Sequence, residues 1–393
     1  MDIALFSFYK APNPDYQNIA TGLQVRGHSV CLGQRNKLDD LDWRGEGSVA
    51  AALPGPWRLP EWLLQIPLAA LLLRRVRFMP FMLRTRRWLR RLEPDIVQVN
   101  PASLHALWIL PLFMPRRMHF VLDIRQIGLG ARLGRIGRFR ERLALRMRWV
   151  LARWFFDHTC FNHTATAQRV LGPHWSRWAT VVPVGINPDF LSIQRPQRTG
   201  DADSPLRFVY LGALSRVREL DPLFLAIQKV LRSTRAFRVL FVGPDLAAGH
   251  YQKLTDDLCL NGVALLRPPM PHHEIPALLA QCDVGLAYVP DRVTWHLQPT
   301  IKVLEYRAAG LPILSTDVDG HREAVEEGVN GLLVRNTVDS LSSAMLRFIT
   351  DRDFLCQFQQ QAANMRQALT IDRVDEMYEQ DVYRKLLEQA PDR

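Results

Sequence analysis

Gln298-Pro-Thr-Ile-Lys-Val-Leu-Glu-Tyr-Arg-Ala-Ala-Gly-Leu-Pro-Ile-Leu-Ser-Thr316 reads as a helix that opens onto a site and runs straight into a buried strand. Pro299 stands where a helix entrance tolerates a missing N–H. Ile301, Leu304 and Ala308 recur at helical spacing, and Gly310 before Pro312 is a stop signal. Ile313-Leu314 continues as a short parallel strand. A helix entrance offers unpaired N–H groups and the positive end of the macrodipole, to which Lys302 in the first turn adds a full charge. Phosphate is the natural guest there. Glu305, one turn further on and on the same side as Ile301, is placed to accept from a hydroxyl pair such as a ribose diol. A nucleotide therefore fits better than free phosphate.

Outward from this stretch the chain alternates strands and helices in both halves, the pattern of doubly wound parallel sheets. In the first half, strands are expected at Ile3 to Phe8, Ser29 to Leu32, Ile96 to Val99, Phe120 to Ile124, Thr159 to Phe161 and Thr180 to Val184, with helices at Gln17 to Arg26 and Gln168 to Leu171. A polar linker without periodicity follows at Ile193 to Pro205. The second half carries strands at Leu206 to Leu211, Arg238 to Val242, Val263 to Leu266 and Val284 to Tyr288. Helices fall at Pro222 to Arg232, Tyr251 to Cys259 and His273 to Gln281. Past Val334 come helices Val338 to Thr350, Asp353 to Thr370 and Val374 to Gln389.

The 298–316 stretch resembles the donor-binding signature of the retaining glycosyltransferases of family 4. The resemblance continues through Asp317-Val-Asp-Gly320, Glu323-Ala-Val and Glu327-Gly-Val-Asn-Gly-Leu-Leu-Val334. Tyr210-Leu-Gly-Ala-Leu214 followed by Arg218-Glu-Leu-Asp221, Phe241-Val-Gly-Pro244 and Cys282-Asp-Val-Gly-Leu-Ala287 extend it, and Arg26-Gly-His-Ser-Val30, Pro94-Asp-Ile-Val97 and Val182-Pro-Val-Gly-Ile-Asn187 echo it more weakly. It implies an α/β chain of the GT-B fold, two doubly wound Rossmann-like domains facing each other across a cleft, at whose strand C-termini ligands bind. Residues 1–195 would form an acceptor-binding domain, 205–370 a nucleotide-sugar donor domain, and 371–393 a helix returning to the first domain.

The implied donor residues are Gly212, Arg218, Thr300, Ile301, Lys302 and Glu305, with Arg218 and Lys302 meeting the diphosphate, the Thr300 and Ile301 amides beside them and Glu305 on the ribose. Cations there stabilise the charge that builds on the leaving nucleotide, so the reaction requires no metal or other cofactor beyond the nucleotide sugar as co-substrate. The resemblance has gaps. The family's first sugar-contacting glutamate is replaced by Leu297, leaving His296, Gln298 or Asp291 as alternatives. Ala213 stands where an arginine is usual, Glu219 where a glycine is usual, and Lys10-Ala-Pro-Asn-Pro-Asp15 replaces a glycine pair, so Lys10 or Asn13 would reach the donor from that side. Asp123 occupies the place of a histidine near the reacting sugar. It either orients the acceptor hydroxyl and takes its proton or simply pairs with Arg125. His28, His119 and His163 read as structural, Gly185 as a turn, and Arg267-Pro-Pro-Met270 as the base-facing turn.

Charge is the second loud feature. The net value is +11 over 393 residues, and no acid falls between Glu61 and Glu93 while eight arginines crowd Arg74 to Arg91. Apolar blocks with Trp57, Trp62 and Leu68 to Leu73 alternate with them. These blocks are shorter than the ~20 residues a span needs, so the segment is expected to lie on an anionic leaflet or to be a core helix whose arginines face water. Arg132 to Arg153 repeats the pattern. No nucleic-acid motif accompanies the basic residues, so nucleic acid is not an expected partner. Cys31, Cys160, Cys259, Cys282 and Cys356 show neither pairing nor metal-ligand spacing and suit a reducing compartment. The N-terminus lacks the basic start of a signal peptide. The resulting expectation is a cytoplasmic enzyme peripheral to the inner face of the cell membrane, moving a sugar from a nucleotide donor to a lipid-linked or saccharide acceptor in surface polysaccharide assembly. A non-catalytic nucleotide-sugar-binding scaffold and a GT-B epimerase are the alternatives.

Overall fold

The computed structural model describes residues 1–7, 14–37, 40–44, 79–100, 110–125, 154–194, 204–297 and 299–388. Lys10, Asn13, Gln298, most of the 56–92 segment and all of 132–153 lie outside the described residues. The chain divides into two compact units, Met1–Val184 with Ile371–Arg393, and Gly185–Thr370.

The first unit is built on seven described strands: β1 (Asp2–Ser7), β2 (Ser29–Lys37), β3 (Asp40–Arg44), β4 (Ile96–Val99), β5 (His119–Ile124), β6 (His158–Phe161) and β7 (Ala179–Val181). They run in the order β3-β2-β1-β4-β5-β6-β7, all parallel except the β3 edge, which pairs antiparallel with β2. β3 gives no strand signal in the sequence, because Asp40-Leu-Asp-Trp-Arg44 has too few apolar residues. The central strands are apolar on both faces, as parallel strands covered by helices require, and Ala4, Phe6, Val97, Val99, Phe120, Leu122 and Phe161 share one core. Helices α1 (Pro14–Val25), α2 (Met79–Leu92) and α3 (Thr164–Leu171) belong to this unit. Helix α3 begins four residues earlier than its apolar pattern suggests. His163 caps it by accepting from the Ala165 amide at 3.1 Å, so this histidine has a structural task.

The C-terminal helix Ile371–Met377 also belongs here, continuing through a π-helical stretch at Tyr378–Arg384. It comes so close to α1 that a Cβ on Gly22 would sit 1.7 Å from a carboxylate oxygen of Asp375. Arg26 of the turn after α1 donates to Glu379 at 2.6 Å. Burial alone would push the Glu379 carboxyl up, but bonds from Arg26 and Arg384 bring it down to about 2.

The second unit is a six-stranded parallel sheet: β8 (Leu206–Leu211), β9 (Phe237–Val242), β10 (Ala264–Arg267), β11 (Val284–Ala287), β12 (Ile313–Thr316) and β13 (Gly331–Val334), in the order β10-β9-β8-β11-β12-β13. Its described helices are α4 (Asp221–Leu231), α5 (His250–Asp257), α6 (Ile275–Ala280), α7 (Val293–His296), α8 (Ile301–Ala308), α9 (Asp319–Arg322), α10 (Val338–Thr350) and α11 (Arg352–Asn364). Residues 185–193 belong to this unit, and Ile186, Phe190 and Ile193 are buried in its core. The strand order reverses between β8 and β11. Open α/β sheets bind ligands at such a switch point, beyond the strand C-termini.

The deciding helix differs in register from its reading in sequence. Pro299 stands before the N-cap, which is Thr300, and the buried face is Val303, Tyr306 and Ala309 rather than Ile301, which is 43% exposed. Tyr306 sets this register. Its hydroxyl accepts from the Leu211 amide at 2.9 Å and donates to the Val209 carbonyl at 3.1 Å, tying α8 to the end of β8.

Candidate functional site

Two loops meet the first turn of α8 at the switch point. After β8 the chain turns at Gly212, whose φ of 134° falls where side chains are strained. A Cβ there would lie 3.4 Å from Lys302 Nζ, so the glycine keeps the approach to this amine open. Lys302 is 5% exposed, although lysine is rarely buried unless paired. Its Nζ lies 3.5 Å from the centre of the Tyr210 ring and has no hydrogen-bond partner. Burial, and then the charge of Arg218, hold its pKa well below the ordinary lysine value, with Glu305 pulling the other way.

Arg218 comes from a 3₁₀ turn at Arg216–Arg218. Its guanidinium lies 4.6 Å over the Trp295 ring, and its Nη1 is buried without a hydrogen-bond partner. Arg218 is half-buried, whereas its neighbour Arg216 is exposed. The turn ends on Glu219 in the left-handed conformation, φ 46°, which explains why a glycine is usual there. The Glu219 side chain pairs with Arg292, and its carbonyl accepts from Tyr288 Oη at 2.9 Å. Tyr210 Oη is a third buried polar atom without a partner, its phenol pushed up to about 12 by burial.

The N-terminus of α8 is left open by a hydrogen-bond chain that sequence analysis missed. Thr300 makes no side-chain cap. Its hydroxyl instead meets His321 Nε2 at 3.0 Å, while His321 Nδ1 meets Ser315 Oγ at 2.7 Å. Ser315 donates its own proton to the Thr316 carbonyl, so Nδ1 of His321 is the donor and Nε2 accepts from Thr300. His321 is fully buried, and burial followed by the Lys302 charge pushes it down to about 3. It is therefore a neutral spacer, and the first-turn amides of α8 are not capped by Thr300. The only signal in the sequence was a histidine between Gly320 and Glu323, at positions the family pattern leaves unspecified.

Glu305 is 6% exposed, which excludes a solvated helix position. One oxygen accepts from His272 Nε2 at 2.8 Å, and that bond raises the His272 pKa. His272 follows Arg267-Pro-Pro-Met270 after β10 and lies with its ring 5.3 Å from Phe190. The turn that sequence analysis placed on the base side thus leads directly to the partner of Glu305. His272 itself was missed, since Pro271-His-His273 carries no periodicity or motif.

His296 sits between Asp291 (Nε2, 2.8 Å) and Asp319 (Nδ1, 3.1 Å), joining α7 to α9. Burial acts to lower its pKa, but the two carboxylates outweigh this and raise it. A carboxylate on each nitrogen suits an imidazolium. Asp291 is therefore engaged by His296, and Leu297 supplies no replacement for the family's first glutamate.

Asp123 lies in the first unit and is 1% exposed at the end of β5. Its Oδ2 accepts from Gln98 Nε2 (3.0 Å), Arg125 Nε (3.2 Å) and Tyr378 Oη (3.0 Å), while Arg125 Nη2 donates to Tyr378 at 2.7 Å. Of the two roles open to Asp123, this geometry matches the pairing with Arg125, widened into a network that binds the C-terminal segment.

Residues 205–351 match a family model described as glycosyl transferases group 1. A D-inositol 3-phosphate glycosyltransferase of Nocardia farcinica is 30% identical over 155 residues, covering 37% of this chain and 33% of the relative, so the match spans about a third of that protein. Across the whole chain the likeness is structural. A sucrose-phosphate synthase from Thermosynechococcus elongatus superposes with a TM-score of 0.73 at 16% identity, covering 99% of this chain and 100% of the other. Anabaena HepE, solved in complex with UDP-glucose, gives 0.69 at 16% identity over 99% and 100%. The chain thus has the two-domain α/β architecture of GT-B glycosyltransferases, and its second unit carries the match to the group 1 model.

Proposed function

We propose that this protein is a glycosyltransferase that moves a sugar from a nucleoside diphosphate sugar to an acceptor hydroxyl. The observation that carries the reading is the buried Lys302 amine and the half-buried Arg218, each with a buried nitrogen that lacks a hydrogen-bond partner, beside an uncapped helix N-terminus at a sheet switch point. An unpartnered charge costs free energy inside a protein, and a diphosphate supplies what both groups lack. Lys302 and Arg218 hold the diphosphate with the first-turn amides of α8. Glu305, oriented by His272, accepts from the ribose diol, and the 267–270 turn lies on the base side.

In the reaction, the bond between the anomeric carbon and the diphosphate oxygen breaks, and the bond to the acceptor oxygen forms. The acceptor proton leaves with a base, and the charge gathering on the diphosphate is met by Lys302 and Arg218 rather than by a metal ion. Retention of anomeric configuration rests on the family resemblance. A lipid-linked acceptor, surface polysaccharide assembly and a place at the inner membrane face rest on the arginine-rich first half.

A transfer assay over nucleotide sugars and polyprenyl-linked acceptors, with the anomeric configuration read by NMR, tests this. Turnover abolished by Lys302→Ala in a folded protein supports it. Nucleotide binding without turnover on any acceptor favours the scaffold reading, which Leu297 and Ala213 motivate. Consumption of the donor without an acceptor points to epimerase or hydrolase chemistry.

A further inference from the structure

The first unit presents a basic, apolar face that the donor site does not use. Helix α2 packs Met82, Thr85 and Leu89 inward, at 4%, 0% and 0% exposure. On the opposite stripe stand Leu83, Arg87, Arg90 and Arg91, all exposed. The helix contains no acidic residue. Next to it the short 3₁₀ turn Leu110–Phe113 carries Leu112 and Phe113 outward, 61% and 44% exposed.

The two elements are fastened to each other. Arg86 Nε and Arg90 Nη2 both donate to the Phe113 carbonyl, at 3.2 and 3.4 Å, and the Arg86 guanidinium lies 6.0 Å over the Phe113 ring. The turn ends on exposed Arg116 and Arg117, and Glu93, the acidic residue just past α2, is paired with Arg117. Bulky apolar side chains are thus held outward beside arginines, and the nearby Glu93 is paired.

We propose that this face, α2 with the 110–113 turn, docks on an anionic lipid bilayer, with Leu83, Leu112 and Phe113 entering the interface and Arg87, Arg90 and Arg91 meeting lipid phosphates. The proposal rests on the membrane placement given above and locates it on named residues. Charge complementarity selects the occupant. An amphipathic helix with an arginine face and a clamped apolar turn has the composition that in-plane binding to anionic membranes requires. No helix among the described residues is long and apolar enough to cross a membrane, so contact here would be in the plane. A protein partner would be expected to offer acidic groups at fixed positions, and binding to it would not follow lipid charge.

The test is flotation of the full chain with phosphatidylglycerol-containing vesicles and with pure phosphatidylcholine vesicles, at low and high salt. It compares the unaltered protein with Leu112→Ser/Phe113→Ser and with Arg87→Gln/Arg91→Gln. All substituted side chains are exposed, and circular dichroism with thermal unfolding of each variant reports that the fold is intact. The expected result is binding to anionic vesicles only, weakened on the order of tenfold or more by each double substitution and lost at high salt. Anionic-vesicle binding that both variants retain would overturn this surface while leaving the membrane placement standing on other residues. No binding by the unaltered protein at low salt would overturn both. Equal binding to both vesicle types would remove the arginines from the account.

Discussion

The two units share a winding pattern, and the charges at the ends of β5 and β8 are met in different ways. In the first, Asp123 at the end of β5 is matched by Arg125 and receives three hydrogen bonds on Oδ2, from Gln98, Arg125 and Tyr378, while its Oδ1 has no partner. In the second, Lys302 and Arg218 stand at the switch point with polar atoms that find no acceptor. Asp123 and Lys302 are both buried, so burial does not distinguish them. Compensation does. A network that closes on itself holds the fold, whereas cations left open beside a helix N-terminus anticipate an anion.

The largest expected effect breaks the comparison on its structural side. Asp123→Ala strands Arg125 in the core and should lower stability by ~3–5 kcal/mol, measured by denaturant unfolding. Nucleotide affinity of the folded fraction should stay within about twofold, as for sites acting independently. A selective loss of turnover without loss of stability would return Asp123 to a catalytic role.

On the other side, Lys302→Ala should reduce turnover by roughly 10²–10³-fold, the range seen when one preorganised charge-stabilising group is removed. Its Tm should hold or rise, because a buried amine without a hydrogen-bond partner is lost. Differential scanning calorimetry beside steady-state kinetics checks both halves.

Asp375 sharpens the contrast through pH. Both its oxygens are buried without a partner, and burial followed by Asp372 pushes its carboxyl up to about 7. The unfolded chain loses this proton near the ordinary aspartate value, so Asp375 makes stability fall as pH rises from about 4 to 7 and adds no further slope above that. Asp375→Asn should therefore raise stability at pH 8 by on the order of 2–4 kcal/mol at most and leave it unchanged at pH 4, read by thermal unfolding at both pH values. A smaller effect is expected at His272. Its pKa is raised by Glu305, so its positive charge near the bound anion is present at low pH and lost as pH rises through that value. Nucleotide affinity should weaken a few-fold over that window, and His272→Gln should flatten the profile.

Much of this architecture was legible in the chain. Leu206–Leu211, Ile96–Val99 and Val338–Thr350 read directly because apolar periodicity is strong there. Lys302 and Glu305 were expected to bind the donor, and of the expected apolar face Ala308 is buried while Ile301 is exposed, since Tyr306 ties its hydroxyl to β8 and turns the helix. His272 and His321 stayed hidden. Their roles are defined by partners 33 and 21 residues away in sequence, and no local pattern announces such pairs. Glu219 illustrates the converse. Its departure from glycine was visible, while the left-handed backbone behind it was not.

The central claim is that Lys302 waits for a diphosphate. Burial depresses its pKa, so an arriving anion should restore the charge and draw in a proton. Isothermal titration of nucleoside diphosphates in buffers of different ionisation enthalpy measures that uptake directly. The account predicts one-to-one binding by a nucleoside diphosphate with net proton uptake in the pH range between the depressed and the restored lysine value, and loss of that uptake in Lys302→Ala. Binding with the same proton count in the variant, or no binding by any nucleoside diphosphate, would contradict it.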